Sequence, residues 1–490
     1  MDESVEQIDP TAELTVDDVK QRAAKGAAIL TLRTIFIQAI SFFANALLTI
    51  FLEPAQYGVF FLVSAVISFL AYFSDIGFAA ALIQKKENLT KDDLRTIFSA
   101  QQILIITLLI VIFLATPFIQ TFYKLNQDSI YLLWALSFSL FTSSLKTIPS
   151  VLMERRLEFN KLIIPQIIET IVFNAVAVSL AFKGFGVTSF TIAILARAIV
   201  GLTATYIIQP WLPSIAFSLN SFKSILKFGI PYQTNVFLAM VKDDGMTLFL
   251  GSVLGTSGIG LLGWAQKWAY APLRFFMDQV IKVTFPAFSR LQGNKKELSN
   301  GVSKSIFFIC LLVFPSLILL NLFAPILTEI IPKYNKWNPA LTALALISIT
   351  SAFAAVTTPL TNMLNAIGKI SLTFKFMVMW TSLTWILIPF LSLKYGINGA
   401  GLGFAIVGAS SVFAIIKASE FIEINYFNYV GKPLLAAVLM GVLIFIVRGL
   451  LAYTFTSLII LGILGLFSYS VLIIILEPNL AKLIKQLKKT

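Results

Sequence analysis

The residues of this chain that could do chemistry are charged side chains inside long apolar segments. Lys242, Asp243 and Asp244 stand together in the middle of residues 230–250, an otherwise apolar stretch. Charges at the centre of a bilayer are costly and usually mark a substrate or ion pathway. Further charges fall within apolar runs at Arg33, Asp75, Lys146, Glu169, Arg197, Lys267, Arg274 and Asp278. This pattern predicts a membrane protein with a hydrated, charged interior.

Basic side chains in such an interior predict binding of an anionic cargo. A phosphate or carboxylate offsets the cost of a buried cation and accepts its hydrogen bonds. The candidate binding residues are Arg33, Arg197, Lys242, Lys267 and Arg274. Arg33 also lies close enough to a predicted cytoplasmic end for its side chain to reach the membrane surface instead.

Acidic side chains in the same interior predict charge pairing or coupling. A carboxylate there can pair with a cation while cargo is absent, titrate, or bind a coupling cation such as sodium or a proton. The candidates are Asp75, Glu169, Asp244 and Asp278. Lys267, Arg274 and Asp278 follow one another at spacings of seven and four, which places them on one helix face. We expect that face to line an interface between two lobes.

Composition excludes several other functions. The chain has no histidine and a single cysteine, Cys310, so it lacks an intrachain disulfide and the commonest metal ligand. No catalytic residue, metal site or cofactor is predicted, apart from the coupling cation. The formal net charge is +13, but the basic residues are dispersed among short loops. Nucleic acid is therefore not an expected partner.

The elements that position these charges are predicted membrane-spanning helices. Hydrophobic residues make up 58% of the 490 residues, charged residues 12%, and the mean hydropathy is +0.87. Apolar runs of about twenty residues predict an all-α, polytopic membrane protein with about fourteen spans. Thr90-Lys91-Asp92-Asp93 resembles a helix-capping sequence before the third of them. The spans are predicted at 27–52, 57–82, 96–116, 130–152, 162–182, 187–209, 229–250, 258–283, 305–326, 340–364, 372–393, 398–419, 433–449 and 455–476.

The distribution of basic residues predicts the topology. Most of the 37 Lys and Arg residues fall on one side, in inner loops such as 84–95, 153–161 and 284–304 and in the C-terminal tail. Because cytoplasmic loops are enriched in Lys and Arg, both termini are expected in the cytoplasm, with the protein in the inner membrane. The connections between spans are short, which favours a function performed within the membrane.

Two patterns recur at nearly the same offset and predict an internal repeat. Thr147, Pro149 and Met153 recur 210 residues later as Thr357, Pro359 and Met363, and Leu180 to Gly184 resembles Leu391 to Gly396. Six spans per repeat predict two lobes related by an axis along the membrane normal. The predicted organisation is an N-terminal cytoplasmic segment 1–26, an N-lobe 27–209, a cytoplasmic linker 210–228, a C-lobe 229–421, two extra spans within 433–476 and a basic tail 477–490.

Several motifs resemble one family of transporters. In the first lobe these are Pro54-Ala55-Gln56-Tyr57-Gly58, Ser74-Asp75-Ile76-Gly77-Phe78 and Ala81-Leu82-Ile83-Gln84-Lys85. In the second lobe they are Asp244, Leu254-Gly255, Gly260, Pro286-Ala287-Phe288-Ser289-Arg290-Leu291-Gln292, Thr358-Pro359 and Asn365-Ala366-Ile367-Gly368-Lys369. The chain resembles the polysaccharide exporters and O-antigen-type flippases of the multidrug/oligosaccharidyl-lipid/polysaccharide exporter superfamily. Trp264 departs from this family, whose members often have a tyrosine or a similar residue at that position. Whether the Trp264 ring contacts the cargo is left open by the sequence.

This resemblance implies a transporter rather than an enzyme. The family flips an undecaprenyl-diphosphate-linked oligosaccharide across the cytoplasmic membrane by alternating access. The implied partners are that lipid-linked substrate, membrane lipids and other polysaccharide assembly proteins. A diphosphate head group suits the predicted cations, and the last two spans are expected to offer an apolar groove for the prenyl tail.

Two alternatives stay open at the level of sequence. One is a cation-coupled multidrug exporter of the same superfamily, which the excess of interior Lys and Arg disfavours. The other is a membrane enzyme of polysaccharide assembly, because Asp243-Asp244 resembles the acidic pairs of membrane glycosyltransferases. Such pairs lie at the membrane surface, whereas this pair lies within a predicted span.

Overall fold

The computed structural model describes residues 16–74, 77–85, 89–218 and 237–478, which form helices joined by short turns. The chain divides into two compact units, Met1–Gly260 and Leu261–Thr490. The predicted all-α membrane class is confirmed. The predicted lobe, linker and tail boundaries stay predictions.

Among the described residues, the first unit is built from apolar helices with two short helices between them. These are α1 (Val16–Phe51), α2 (Pro54–Ala71), α3 (Phe78–Gln84), α4 (Lys91–Tyr123), α5 (Gln127–Leu145), α6 (Thr147–Arg155), α7 (Phe159–Phe182) and α8 (Thr188–Ile208). A π-helical turn, Val241–Gly245, then leads into α9 (Met246–Leu291), which continues into the second unit.

The rest of the second unit continues the same architecture. Its further described elements are α10 (Lys295–Ile330), a 3-10 turn (Tyr334–Ala340), α11 (Leu341–Ala366), α12 (Ile370–Ala409), α13 (Val412–Ala418), a π-helical turn (Phe427–Gly431), α14 (Lys432–Arg448) and α15 (Phe455–Leu476). Buried apolar side chains from α10, α11, α14 and α15 share one core.

Eleven helices among the described residues are long and apolar enough to cross a bilayer. Two of them, Phe237–Met277 and Ile370–Ala418, each cover two predicted spans. Their backbones break at Gly255 (φ 67°) and Gly396 (φ 58°), a left-handed conformation that glycine adopts without strain. The number of fourteen spans stays a prediction. Described helices overlap every predicted span, but residues 75–76 and 229–236 lie outside the described part of the chain, and the span predicted at 130–152 divides into α5 and α6.

A set of polar contacts joins two loops at one end of the first unit. The capping sequence predicted before α4 is confirmed, because Thr90 Oγ1 accepts from the Asp93 amide while the Asp93 carboxylate accepts from the Thr90 amide. Lys85 Nζ lies 2.6 Å from Asp93 Oδ2. Arg155 Nη1 donates to the carbonyls of Leu82 and Lys85, at 2.8 and 2.7 Å. The contacts place the predicted inner loops 84–95 and 153–161 on one side of this unit.

Replacing Arg155 with alanine is expected to lower the free energy of unfolding by about 1–3 kcal/mol, because two carbonyl groups lose a charged donor. Thermal unfolding of the purified protein in detergent measures the change. Lys161→Ala is the control, since Lys161 forms a more exposed ion pair with Glu158 one helical turn away. Equal unfolding midpoints for the two variants would show that the Arg155 contacts do not stabilise the loop.

A backbone contact between α2 and the start of α9 lies elsewhere in the first unit. A Cβ atom built on Gly58 would lie 1.7 Å from the Thr256 carbonyl oxygen, and one built on Gly260 would lie 1.8 Å from the Pro54 carbonyl oxygen. Both distances are far below van der Waals contact, so a side chain at either position cannot be accommodated. Gly58 and Gly260, which belong to the motifs that resemble the exporters, therefore allow two helices to touch through their backbones.

Candidate functional site

Glu169 on α7 is the centre of a charged cluster inside the first unit. Lys146, at the junction of α5 and α6, places its Nζ 2.5 Å from Glu169 Oε1. Arg197 on α8 places its Nε 3.5 Å from Glu169 Oε2. The side chains of Lys146 and Glu169 are only 17% and 12% exposed, whereas that of Arg197 is 50% exposed. One carboxylate thus links three helical segments through two ion pairs.

The positions of these residues along their helices put the cluster deep in the protein. Glu169 follows the start of α7 by ten residues and Arg197 follows the start of α8 by nine. At about 1.5 Å of rise per residue, each lies roughly 15 Å from its helix end, which is about half the thickness of the hydrocarbon core. A single charge at that depth is costly, so mutual pairing stabilises all three.

Arg33 on α1 extends the cluster by a hydrogen bond to a neutral side chain. Its Nη1 donates to Gln166 Oε1, and Gln166 lies three residues before Glu169 on the same face of α7. The Arg33 Nε is buried and has no acceptor among the described residues. Within that part of the chain, this Nε–H donor is therefore unsatisfied but shielded from solvent.

The half-exposed guanidinium of Arg197 also lies near an aromatic ring. Its Cζ is 6.0 Å from the ring centroid of Phe173, one helical turn beyond Glu169 on α7. Exposure to lipid at this depth would be strongly unfavourable for a cation, so the exposed part of Arg197 is expected to face water. Arg197 is therefore the member of the cluster that a ligand could reach.

The Lys242-Asp243-Asp244 triplet forms a π-helical turn, Val241–Gly245, before α9. Such turns are rare and frequently occur at functional sites. Lys242 Nζ lies 2.7 Å from Asp243 Oδ1, so the immediate neighbour of Lys242 supplies a carboxylate partner. Sequence reasoning assigned no role to Asp243 and favoured Asp244 for pairing or coupling. The role of Asp244, which is partly buried, stays a prediction.

The remaining predicted site residues lie on α9 or outside the described part of the chain. Lys267 and Arg274 belong to the second unit, where both side chains are exposed and their spacing of seven puts them on one face of α9. The side chain of Asp278 and the whole of Asp75 lie outside the described residues. Within the first unit, the structure therefore brings Glu169 and Arg197 together and places Arg33 against Gln166, one helical turn before Glu169. Within the second unit, Lys267 and Arg274 lie on one face of α9.

Trp264 belongs to the core of the second unit. Its side chain is 3% exposed, stacks on Trp337 with centroids 5.4 Å apart, and donates from Nε1 to the Tyr334 hydroxyl at 3.1 Å. The ring is thus packed against another aromatic ring, and its N–H group has a hydrogen-bond acceptor. Contact with cargo, which the sequence left open for Trp264, is therefore not supported.

An apolar cavity of about 500 Å³ lies in the second unit between α10, α11 and α14. Apolar side chains make up most of its wall, and Asn321 and Ser348 satisfy each other through a hydrogen bond of 2.9 Å. The lining residues from α14 are Leu434, Val438, Gly441, Val442 and Phe445. One of the two extra spans therefore contributes to an apolar cavity.

Comparison with known proteins identifies the family. The model of a family described as polysaccharide biosynthesis protein matches residues 47–342, which is more than half of the chain and includes Lys146, Glu169 and Arg197. The chain belongs to the polysaccharide biosynthesis protein family. The predicted resemblance to polysaccharide exporters is thereby confirmed.

Relatives match most of the length of the chain. The lipopolysaccharide biosynthesis protein WzxC of Escherichia coli (strain K12) is 25% identical over 398 residues, covering 79% of each chain. The succinoglycan biosynthesis transport protein ExoT of Rhizobium meliloti (strain 1021) is 21% identical over 463 residues, covering 90% of this chain and 91% of ExoT. The chain is a multi-pass membrane transporter rather than an enzyme.

A solved structure shows the fold. The lipid II flippase MurJ in its inward closed conformation matches with a TM-score of 0.77 at 16% identity, covering 93% of this chain and 100% of the MurJ chain. The chain therefore has the same fold as that structure.

Three residues of the Glu169 cluster were not predicted as site residues. Lys146 was recognised only as one intramembrane charge among many. Gln166 is neutral and does not stand out in an apolar helix, although its spacing of three from Glu169 is a usable signal. Gly201 on α8 packs so closely that a Cβ atom there would lie 2.0 Å from Glu169 Oε1. The spacing of four between Arg197 and Gly201 places both on one face of α8.

Proposed function

We propose that this protein carries an undecaprenyl-diphosphate-linked oligosaccharide from the inner to the outer leaflet of the cytoplasmic membrane by alternating access. The observation that carries the proposal is the pairing of Lys146 and Arg197 with Glu169, with Arg33 bonded to Gln166 one helical turn away. The names of WzxC and ExoT, which place those relatives in lipopolysaccharide and succinoglycan biosynthesis, support the same cargo class.

The charge of the cluster suits a diphosphate diester. Among the described residues, the cluster has three cations and one carboxylate, which is an excess of two positive charges. A diphosphate that links a prenyl chain to a sugar carries two negative charges at neutral pH. Arginine guanidinium groups bind phosphate oxygens through paired hydrogen bonds, and both Arg33 and Arg197 can donate in this way. Lys242, Lys267 and Arg274 are proposed to supply further cations during transport.

The apolar cavity bounded by α14 suits the prenyl tail. A prenyl tail already lies in the hydrocarbon of the bilayer, so its transfer to the apolar wall of the cavity gains packing contacts and a fixed direction rather than hydrophobic free energy. The head group and the tail would therefore be bound by different parts of the protein. Coupling to sodium or protons through Asp75, Glu169, Asp244 or Asp278 stays part of the proposal, as do both termini in the cytoplasm and contacts with other assembly proteins.

Transport in liposomes tests the proposed function. The full-length protein is reconstituted with a fluorescent undecaprenyl-diphosphate oligosaccharide, and its movement between leaflets is followed under imposed sodium, proton or electrical gradients. Movement that depends on the protein and on the diphosphate supports the proposal. Transport of an organic cation with no movement of the lipid would overturn it in favour of a multidrug exporter.

Filling the apolar cavity is expected to slow transport of long-chain cargo. Val438→Trp places an indole in the cavity. The loss of about ten carbon contacts with the tail, at about 0.1–0.2 kcal/mol each, would weaken binding about five- to thirtyfold. A cargo with a short prenyl chain should be transported at the wild-type rate. Ile463→Trp is the control, because Ile463 is exposed on α15 and does not line the cavity. Equal slowing of long and short cargo would show that the cavity does not hold the tail.

A further inference from the structure

The two ion pairs of Glu169 differ in a way that bears on cargo binding. Lys146 and Glu169 are both largely buried and 2.5 Å apart, whereas Arg197 is half exposed and its Nε is 3.5 Å from the carboxylate. A ligand that arrives from an aqueous cavity can therefore compete for Arg197 without breaking the Lys146 pair. Glu169 would keep one cation partner throughout.

Gly201 holds the carboxylate where this competition can occur. A Cβ atom at position 201 would lie 2.0 Å from Glu169 Oε1 and 2.5 Å from both Cδ and Cγ. Any side chain there would displace the carboxylate from its place against α8. Arg197 lies one helical turn before Gly201, so α8 presents a cation next to a gap that the Glu169 side chain fills.

We infer that Glu169 is a positioning residue that acts as a resident anion: it pairs with Arg197 in the empty transporter, yields Arg197 to the diphosphate of the cargo, and pairs with it again on release. This inference rests on the proposed function. The resident carboxylate orients the Arg197 guanidinium before cargo arrives and weakens the final complex enough for the cargo to leave.

Removal of the Glu169 charge is expected to change the affinity for cargo and the rate of transport in opposite directions. Without the negative charge of Glu169, the cations bind the diphosphate more tightly and release it more slowly. For Glu169→Gln we expect about fivefold tighter binding and about fivefold slower maximal transport, the size typical of one partly exposed ion pair. A residue that only stabilises the fold would lower both together.

Binding and transport are measured on the full-length protein. The binding probe is undecaprenyl diphosphate without sugar, titrated against protein in nanodiscs, and transport uses the fluorescent oligosaccharide in liposomes. Glu420→Gln is the control, because it removes a carboxylate from the exposed Lys417–Glu420 pair. Weaker binding or unchanged binding and rate in Glu169→Gln would overturn the inference.

Gly201→Ala provides a second test that keeps every charge. The added methyl group occupies the place of the carboxylate, so tighter binding and slower transport are again expected. Gly462→Ala is its control, since a Cβ atom at Gly462 on α15 meets nothing closer than 3.9 Å. If neither Glu169→Gln nor Gly201→Ala accumulates as folded protein, Glu169 is a structural anchor and the inference fails. Absence of lipid transport by the wild-type protein would instead reject the proposed function itself.

Discussion

Arg197→Ala is expected to reduce transport of the lipid-linked oligosaccharide by about ten- to a hundredfold at low cargo concentration. A hydrogen bond between charged groups contributes about 1.5–3 kcal/mol, which corresponds to that range of affinity. The protein should still fold, because Arg197 is half exposed and Glu169 keeps its contact with Lys146. Initial rates in liposomes across a range of cargo concentrations measure the effect.

Two comparisons make the Arg197 result specific. Arg197→Lys keeps the charge but loses the planar fork that binds two phosphate oxygens, so it should recover only part of the activity. Lys417→Ala removes a cation whose side chain is likewise 50% exposed, in the second unit, and should leave transport unchanged. Wild-type rates for Arg197→Ala at equal protein level would exclude Arg197 from cargo binding.

The helices were predictable because the bilayer constrains them directly. An apolar run of about twenty residues has one stable solution in hydrocarbon, and the spans derived from such runs correspond to described helices. Gly255 and Gly396 lie in the predicted breaks between spans and adopt positive φ there. The helical conformation is interrupted at each of these glycines, as the break between two predicted spans requires.

The candidate site was only partly predictable from the sequence. Arg33, Glu169 and Arg197 stand out singly because each is a charge in an apolar helix. Their meeting depends on how α1, α7 and α8 are rotated about their axes, and hydropathy carries little information about that rotation when a helix is apolar on every side. Gln166 and Gly201 have no charge to reveal them, so only coordinates place them against Arg33 and Glu169.

For Trp264 and Asp243 too, the sequence did not show which contacts the side chain makes. A tryptophan in a transporter helix is compatible with either cargo contact or core packing, and the stacking on Trp337 decides for the core. The sequence favoured Asp244 over Asp243 for pairing because Asp244 matches the family pattern. A family pattern does not specify which of two adjacent carboxylates a flexible lysine side chain reaches, and Lys242 reaches Asp243.

The largest loss of stability is expected from a methyl group at the contact between α2 and α9. Gly58→Ala would bring a Cβ atom to 1.7 Å from the Thr256 carbonyl oxygen unless the helices separate by more than an ångström. Overpacking costs about 1–3 kcal/mol, and the upper end applies here because the obstructing atom belongs to the backbone and cannot rotate away. The unfolding midpoint and the yield of purified Gly58→Ala should both fall, whereas Gly462→Ala should match the wild type.

Gly260→Ala and the double variant test whether one contact accounts for the loss. The Cβ atom of Gly260→Ala would meet the Pro54 carbonyl oxygen at 1.8 Å, so it should destabilise the protein about as much as Gly58→Ala. Substitutions that act through one shared contact are not additive, because the separation forced by the first methyl group already makes room for the second. The double variant should therefore lose clearly less stability than the sum of the two single losses. Fully additive losses in thermal unfolding would mean that the two glycines act at independent places and that no shared backbone contact joins α2 to α9.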